Sequence, residues 1–141
     1  MNDDFTFSII KPNAVKNKKI GPILAMINEA GFRISAMKMV RMTLAQAKAF
    51  YAVHKDRPFY NDLCDFMISG PIVVMILRNE NAVEEFRKLI GNTDPEKAEE
   101  GTIRKLFAAS LQMNAVHGSD SQENAQLEAS FFFSGFERFF S

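Results

Sequence analysis

The chain has 141 residues and a mass of 15.9 kDa, which suits one domain able to bury its own core. Hydrophobic residues at 47% and charged residues at 24% lie near the globular average, so a disordered or fibrous chain is excluded. The 17 Lys and Arg balance 17 Asp and Glu, which disfavours nucleic-acid binding through bulk positive charge.

A single cysteine, Cys64, excludes an intramolecular disulfide framework and suits a reducing compartment. The opening Met1-Asn2-Asp3-Asp4 is acidic, unlike the basic start of a secretory signal. The longest strongly apolar run, Ile72 to Leu77, is far too short to cross a bilayer. A soluble, cytoplasmic protein is expected.

Phe5 to Lys11 is β-branched and aromatic and reads as a strand ended by Pro12. Ile20, Ile23, Leu24 and Ile27 form one helical stripe, with Gly31 placed to cap it. Phe32 to Met42 alternates loosely, as a second strand does. Thr43 and Gln46 have capping-box spacing and predict a helix carrying Leu44, Ala47 and Tyr51. Pro58 predicts a further helix start running toward Met67. Ser69-Gly70-Pro71 is a turn, and Ile72 to Leu77 a central strand buried on both faces. Val83, Phe86, Leu89 and Ile90 mark an amphipathic helix closed by Gly91.

Asn92 to Gly101 is a polar loop, and Thr102 to Leu111 a short helix. Asn114 to His117 is a brief apolar run, read as a fourth strand. Ser119 and Gln122 again have capping-box spacing, which predicts a last helix to about Phe133. The β-α-β-β-α-β skeleton with extra helices predicts an α+β fold: a ferredoxin-like, antiparallel four-stranded sheet backed by helices, in one domain over residues 1–141.

Only two histidines are present. His117 stands at a strand end before Gly118, which allows a sharp turn and close approach to a ligand. Ser119 and Asp120 are expected to open a helix whose free N–H groups and dipole favour an anion. Glu128, further along that helix, can fold back and orient the imidazole. A histidine is largely neutral near pH 7, and so nucleophilic. His54 reads as a surface residue, and the two histidines have no metal-ligand spacing.

Lys11, Arg87 and Arg104 form a second candidate set, beside Pro12, Gly91 and Gly101 respectively. Arginine matches phosphate oxygens in bidentate fashion and lysine supplies a point charge. A single surface cation is ordinarily just solvated, but Lys11 directly follows a strand that should be buried. Thr93 and Asn114 add small hydrogen-bonding groups, each of which is by itself an ordinary turn residue. The seven glycines form neither a P-loop nor a Rossmann fingerprint.

Asn114-Ala115-Val116-His117-Gly118-Ser119-Asp120-Ser121 resembles the active-site signature of nucleoside diphosphate kinases at eight consecutive positions. Thr6 to Val15, Arg57-Pro58-Phe59-Tyr60, Ser69-Gly70-Pro71-Ile72-Val73 and Gly101-Thr102-Ile103-Arg104 resemble further blocks of that family, from about Thr6 to Gly135. The resemblance implies ping-pong transfer of the γ-phosphate of a nucleoside triphosphate to a nucleoside diphosphate, with His117 as the phosphorylated nucleophile. It implies Lys11 on the γ-phosphate, Arg87, Thr93 and Arg104 on the diphosphate, and Asn114 on the sugar hydroxyl. Phe59 stacks on the base, which tolerates any base. Glu128 and Ser119 support His117, and Tyr51 supports Lys11 or the phosphate.

By the same resemblance Mg2+ arrives on the nucleotide's phosphates, and the chain assembles as a homo-tetramer or homo-hexamer. Partners are nucleoside tri- and diphosphates, with no membrane and no obligatory nucleic acid. Tyr60, Asp94 and Lys105-Leu106 depart from the family pattern; Asp94 is expected to weaken nucleotide affinity, and Lys105-Leu106 to alter subunit contacts. Six phenylalanines, Phe131, Phe132, Phe133, Phe136, Phe139 and Phe140, crowd the C-terminus and must fold onto the domain or pack on a neighbour. An RNA-binding module and a histidine phosphocarrier are the alternatives; zero net charge and the missing RNP1-like run oppose the first, and the cations beside Phe59 oppose the second.

Overall fold

In the computed structural model, which describes residues 4–139, strands β1 (Asp4–Ile10), β2 (Arg33–Val40), β3 (Ile72–Asn79) and β4 (Val116–Gly118) form one antiparallel sheet in the order β2-β3-β1-β4. This is the ferredoxin-like arrangement expected from the sequence. The helices are α1 (Pro12–Lys16), α2 (Ile20–Glu29), α3 (Leu44–Phe50), α4 (Tyr60–Met67), α5 (Ala82–Ile90), α6 (Ile103–Phe107) and α7 (Gln122–Phe132).

The period-two rule decides the layering. Val73, Met75 and Leu77 of β3 pack with α2 and α5 on one face; Ile72, Val74 and Ile76 pack with α3, α4 and α7 on the other. Both faces are covered, so β3 is apolar without alternation, as its sequence predicted. Along β1, Phe7 and Ile9 join the α7 side while Ile10 joins the α5 side.

Helix ends follow the local chemistry. Gly31 takes φ +96° after α2, and two backbone bonds, Gly31 N–H to Asn28 and Phe32 N–H to Ile27, close a Schellman turn. Thr43 and Gln46 form the expected capping box. Pro12 ends β1 and also opens α1, a short helix that the sequence reading missed.

Four boundaries differ from expectation. The helix expected over 102–111 stops at Phe107, because Ala109 and Ser110 turn back to bond Met113. The helix near Pro58 begins at Tyr60, whose hydroxyl donates to Lys48 O at 3.0 Å and ties α4 to α3. The fourth strand starts at Val116, not Asn114, because Ala115 takes φ +75°. The last helix is capped by Ser121 through Asn124 N–H, not by Ser119.

The C-terminal aromatics fold partly onto the domain. Phe132 stacks on Phe7 at 5.4 Å, and Phe133 is buried. Phe139 exchanges hydrogen bonds with Ser35 on the outer strand β2, while Phe136 stays 94% exposed. Phe140 lies outside the described residues.

Gly118 has a packing reason the sequence did not reveal. A Cβ there would meet Ile90 Cδ1 at 2.9 Å and Phe86 Cδ2 at 3.0 Å, and both side chains are fully buried. Gly118→Ala should therefore lose about 1–3 kcal/mol of stability by forcing β4 off α5. Urea unfolding of the variant measures this.

Candidate active site

His117 pairs with Ile9 of β1, so it shares the α7 side of the sheet with Phe7. Its ring centre lies 6.1 Å from those of Phe7 and Phe50. Its Nε2 is 2.9 Å from Glu128 Oε1, and the same oxygen accepts the Ser119 hydroxyl at 2.6 Å. An ionised carboxylate only accepts, so the shared proton belongs to Nε2 and the neutral ring carries its lone pair on Nδ1. Ser119 Oγ also accepts Phe7 N–H at 3.2 Å. The serine thus braces Glu128 against β1 and does not cap a helix.

The residues before His117 are held in an uncommon backbone shape. Val116 N–H bonds Asn114 O across Ala115, a three-residue turn with positive φ at a side-chain-bearing residue. Ala115 O accepts the backbone N–H of Lys11 at 2.8 Å, tying the end of β1 to the entry of β4. Nothing in the residue type Ala signals this turn.

Arg104, on α6, is only 8% exposed. Its Nη1 donates to Gly91 O at 3.1 Å and its Nη2 to Val116 O at 2.9 Å, linking the end of α5 to β4. Gly91 accommodates this with φ +86°, and a Cβ there would stand 2.6 Å from Thr102 Oγ1. Lys11 is only 7% exposed. Burial, then the Arg104 charge, lowers its amine from the usual lysine range to about 7. Burial, then Arg87, lowers Arg104 to about 10.

A cleft of about 580 Å³ opens beside this cluster, lined among others by Arg87, Gly91, Thr93, Lys97, Thr102 and Arg104. The structure therefore brings Arg87, Thr93 and Arg104 together. Lys11 and His117 do not line this cleft; Arg104 relates to them by its charge, felt at Lys11, and by its bond to Val116, the residue before His117. Asn114 is buried two residues upstream. Phe59 does not line this cleft; it is 44% exposed ahead of α4, its ring centre 5.6 Å from that of His54. Lys97 and Thr102 on the cleft wall were given no role from sequence; Thr102 stood there only in the Gly101-Thr102-Ile103-Arg104 block and as the first residue of an expected helix, which it caps.

Tyr51 Oη, Asn114 Oδ1 and Arg104 Nε are buried without a protein hydrogen-bond partner. Leaving such atoms unpaired costs about 1–3 kcal/mol each, so a polar ligand at the site would be repaid for satisfying them. Burial, then the Glu128 charge, raises the Tyr51 hydroxyl well above the usual phenol range, which keeps it a neutral donor. The donors and cations fit a phosphate chain. Among the described residues no group of three His, Cys, Asp or Glu could hold a metal, and no helix is long and apolar enough to cross a membrane.

A lysine at position 104 cannot span both carbonyls with one nitrogen. Arg104→Lys should lose about 1–3 kcal/mol of stability and speed amide exchange around Gly91 and Val116, read by denaturant unfolding and hydrogen exchange.

The family model for nucleoside diphosphate kinase matches residues 4–138. A nucleoside diphosphate kinase of Lawsonia intracellularis is 59% identical over 133 residues, covering 94% of this chain and 96% of that protein. Among solved structures, the Aquifex aeolicus nucleoside diphosphate kinase aligns with TM-score 0.94 at 43% identity, covering 96% of this chain and 98% of that one. A Halobacterium salinarum nucleoside diphosphate kinase, solved in complex with CDP, aligns with TM-score 0.94 at 33% identity, covering 99% and 93%. Signature, fold and matches over nearly the whole length agree: the chain belongs to the nucleoside diphosphate kinase family.

Proposed function

We propose that this kinase carries its family's reaction, transfer of the γ-phosphate of a nucleoside triphosphate to a nucleoside diphosphate, through His117. The lone pair of Nδ1 attacks the γ-phosphorus in line with the β–γ bridging oxygen. A P–N bond forms, the bridging P–O bond breaks, and its electron pair leaves on the nucleoside diphosphate. A second diphosphate then attacks the phosphohistidine and leaves as triphosphate. The carrying observation is the His117 Nε2–Glu128 Oε1 contact at 2.9 Å, which holds the proton on the nitrogen that does not react. As the ring gains positive character in the transition state, the same carboxylate stabilises it.

The cations then have distinct tasks. Lys11 meets the γ-phosphate, and Arg87, Thr93 and Arg104 hold the diphosphate, with preorganised charge in place of a P-loop. Asn114 reaches the sugar hydroxyl with the amide oxygen that lacks a protein partner. The exposed Phe59 ring supplies a face for any base. The cleft wall carries Arg87, Lys88, Lys97 and Arg104 with the hydroxyls of Thr93 and Thr102, against two carboxylates, Glu84 and Glu99, which suits Mg2+ carried in on the nucleotide's own phosphates. When bound there, the ion neutralises phosphate charge. Asp94 Oδ1 accepts Glu96 N–H at 3.0 Å, so one of its oxygens is engaged within its own loop.

The whole chain, 1–141, acts as one such domain. A homo-oligomer, tetramer or hexamer, is supported by Met37, Met39, Leu106, Leu111 and Phe136, which are large apolar side chains exposed on the single chain. A cytoplasmic setting is supported by the free thiol of Cys64.

Incubation with ATP and magnesium, followed by nucleotide removal, should leave an acid-labile, base-stable phosphoenzyme. Added GDP should discharge it to GTP, and His117→Ala should abolish both steps. A phosphoenzyme that ignored GDP would point to a carrier instead. In a second measurement, Phe59→Ala should weaken ADP, GDP and CDP by similar factors, each about 1–3 kcal/mol; a loss confined to one base would contradict stacking.

A further inference from the structure

The segment between α5 and α6 carries five charged residues, Asp94, Glu96, Lys97, Glu99 and Glu100, of which only Lys97 is a cation. So acidic a loop is a poor neighbour for a phosphate chain, yet it borders the cleft. The fold sorts its charges. Lys97 lines the cleft with Arg87 and Arg104, whereas Asp94, Glu96 and Glu100 do not. Glu99 also lines it, and its backbone carbonyl accepts the Thr102 hydroxyl at 2.7 Å.

The sorting starts in local chemistry. Asp-Pro suits the first two positions of a β-turn, because proline presets its own φ and an aspartate side chain bonds the backbone two residues on. Both bonds are present: Asp94 O accepts Lys97 N–H at 3.0 Å, and Asp94 Oδ1 accepts Glu96 N–H at 3.0 Å. Ala98, directly after the turn, is buried and anchors it to the domain. Thr93 leads into this turn and Lys97 ends it, and both reach the cleft wall. Asp94 thus commits one carboxylate oxygen to the turn that presents Lys97.

The Lys97 side chain is exposed and has no partner of its own. The ion pairs among the described residues join Lys38 to Glu137, Lys88 to Glu85 and His117 to Glu128, and leave Lys97 out. An exposed lysine is ordinarily only solvated, but a concave wall changes what its charge does. Like charges lining a cleft focus their field into it and draw in anions. Four cations against two carboxylates give the wall a formal excess of two positive charges, and Lys97 supplies half of that excess.

We propose that Lys97 is a further phosphate-binding residue, whose ammonium meets the nucleotide's polyphosphate from the loop side of the cleft. This rests on the reading of the cleft as the phosphate site. The contact is to charge and not to base or sugar, so it serves every nucleotide alike. Lys97 lies on the cleft wall, which His117 does not line, so its attraction is the same before and during phosphate transfer. It therefore strengthens binding and leaves the chemical step unchanged.

Calorimetric titration of the full chain with ADP and magnesium, beside steady-state kinetics with ATP and GDP, tests this. Lys97→Ala should weaken ADP about threefold to fivefold and raise KM alike, with kcat unchanged, as suits one ion pair in contact with water. CDP and GDP should lose the same factor. Lys97→Arg should restore wild-type affinity, and Lys97→Glu should lose about tenfold or more. Between about 0.01 M and 0.15 M salt, where screening shortens from about 30 Å to about 8 Å, the wild type should lose more affinity than Lys97→Ala. The unfolding midpoint should not move. Lys16→Ala, an exposed lysine away from this cleft, should bind as the wild type does. Wild-type affinity in Lys97→Ala, no rescue by arginine, an equal loss in Lys16→Ala, or a fall in kcat overturns the role of Lys97 and leaves the kinase reading standing. Failure of the wild type to bind ADP removes both.

Discussion

The Arg104 guanidinium reaches two backbone carbonyls, Gly91 O at the end of α5 and Val116 O at the start of β4, and the site depends on that bridge. The residues it joins are far apart in sequence. Gly91 opens the loop that bears Thr93, and Val116 directly precedes His117. One planar side chain thus ties the loop that bears Thr93 to the strand that carries His117. Arginine can do this because its donors form a rigid fork, and its remaining Nε stays unpartnered.

The cost of the arrangement is electrostatic. Burial lowers both Arg104 and Lys11, and the Arg87 charge adds to the first and the Arg104 charge to the second. Of the three only Lys11 and Arg104 are buried, and taking charge out of water costs several kcal/mol unless it is paired. The unsatisfied Tyr51, Asn114 and Arg104 atoms point the same way. These buried polar atoms leave hydrogen-bonding capacity unused in the free chain.

The histidine side is built on a different economy. Glu128 and Ser119 form a fully bonded chain that ends on the Phe7 backbone of β1, and Phe7 and Phe50 wall the imidazole. The close approach of β4 to α5 at Gly118 and the positive-φ turn at Ala115 hold this half in place from behind. Orientation by packing and attraction by charge are thereby assigned to separate elements that meet at Val116.

Much of this was legible before the structure. Composition and apolar runs located the four strands, including the doubly buried β3, periodicity located α2 and α5, and capping-box spacing α3 and α7, because these are local properties of residue type and spacing. The signature holding Asn114 and His117 and the blocks holding Lys11, Phe59 and Arg104 pointed to the family, and the roles of Arg87 and Thr93 came with that resemblance. What eluded the sequence depended on atoms distant along the chain. Ser119 looked like a helix cap, but Phe7 and Glu128 claim its hydroxyl, and Gly118 looked like a turn residue open to a ligand, but Phe86 and Ile90 fill the space beside it. Residue order alone determined which groups this protein owns and which secondary structure carries them. Only the tertiary structure decided which cation loses its solvent and which imidazole nitrogen keeps its proton, because desolvation and hydrogen-bond partnership are set by neighbours that the chain brings together from opposite ends.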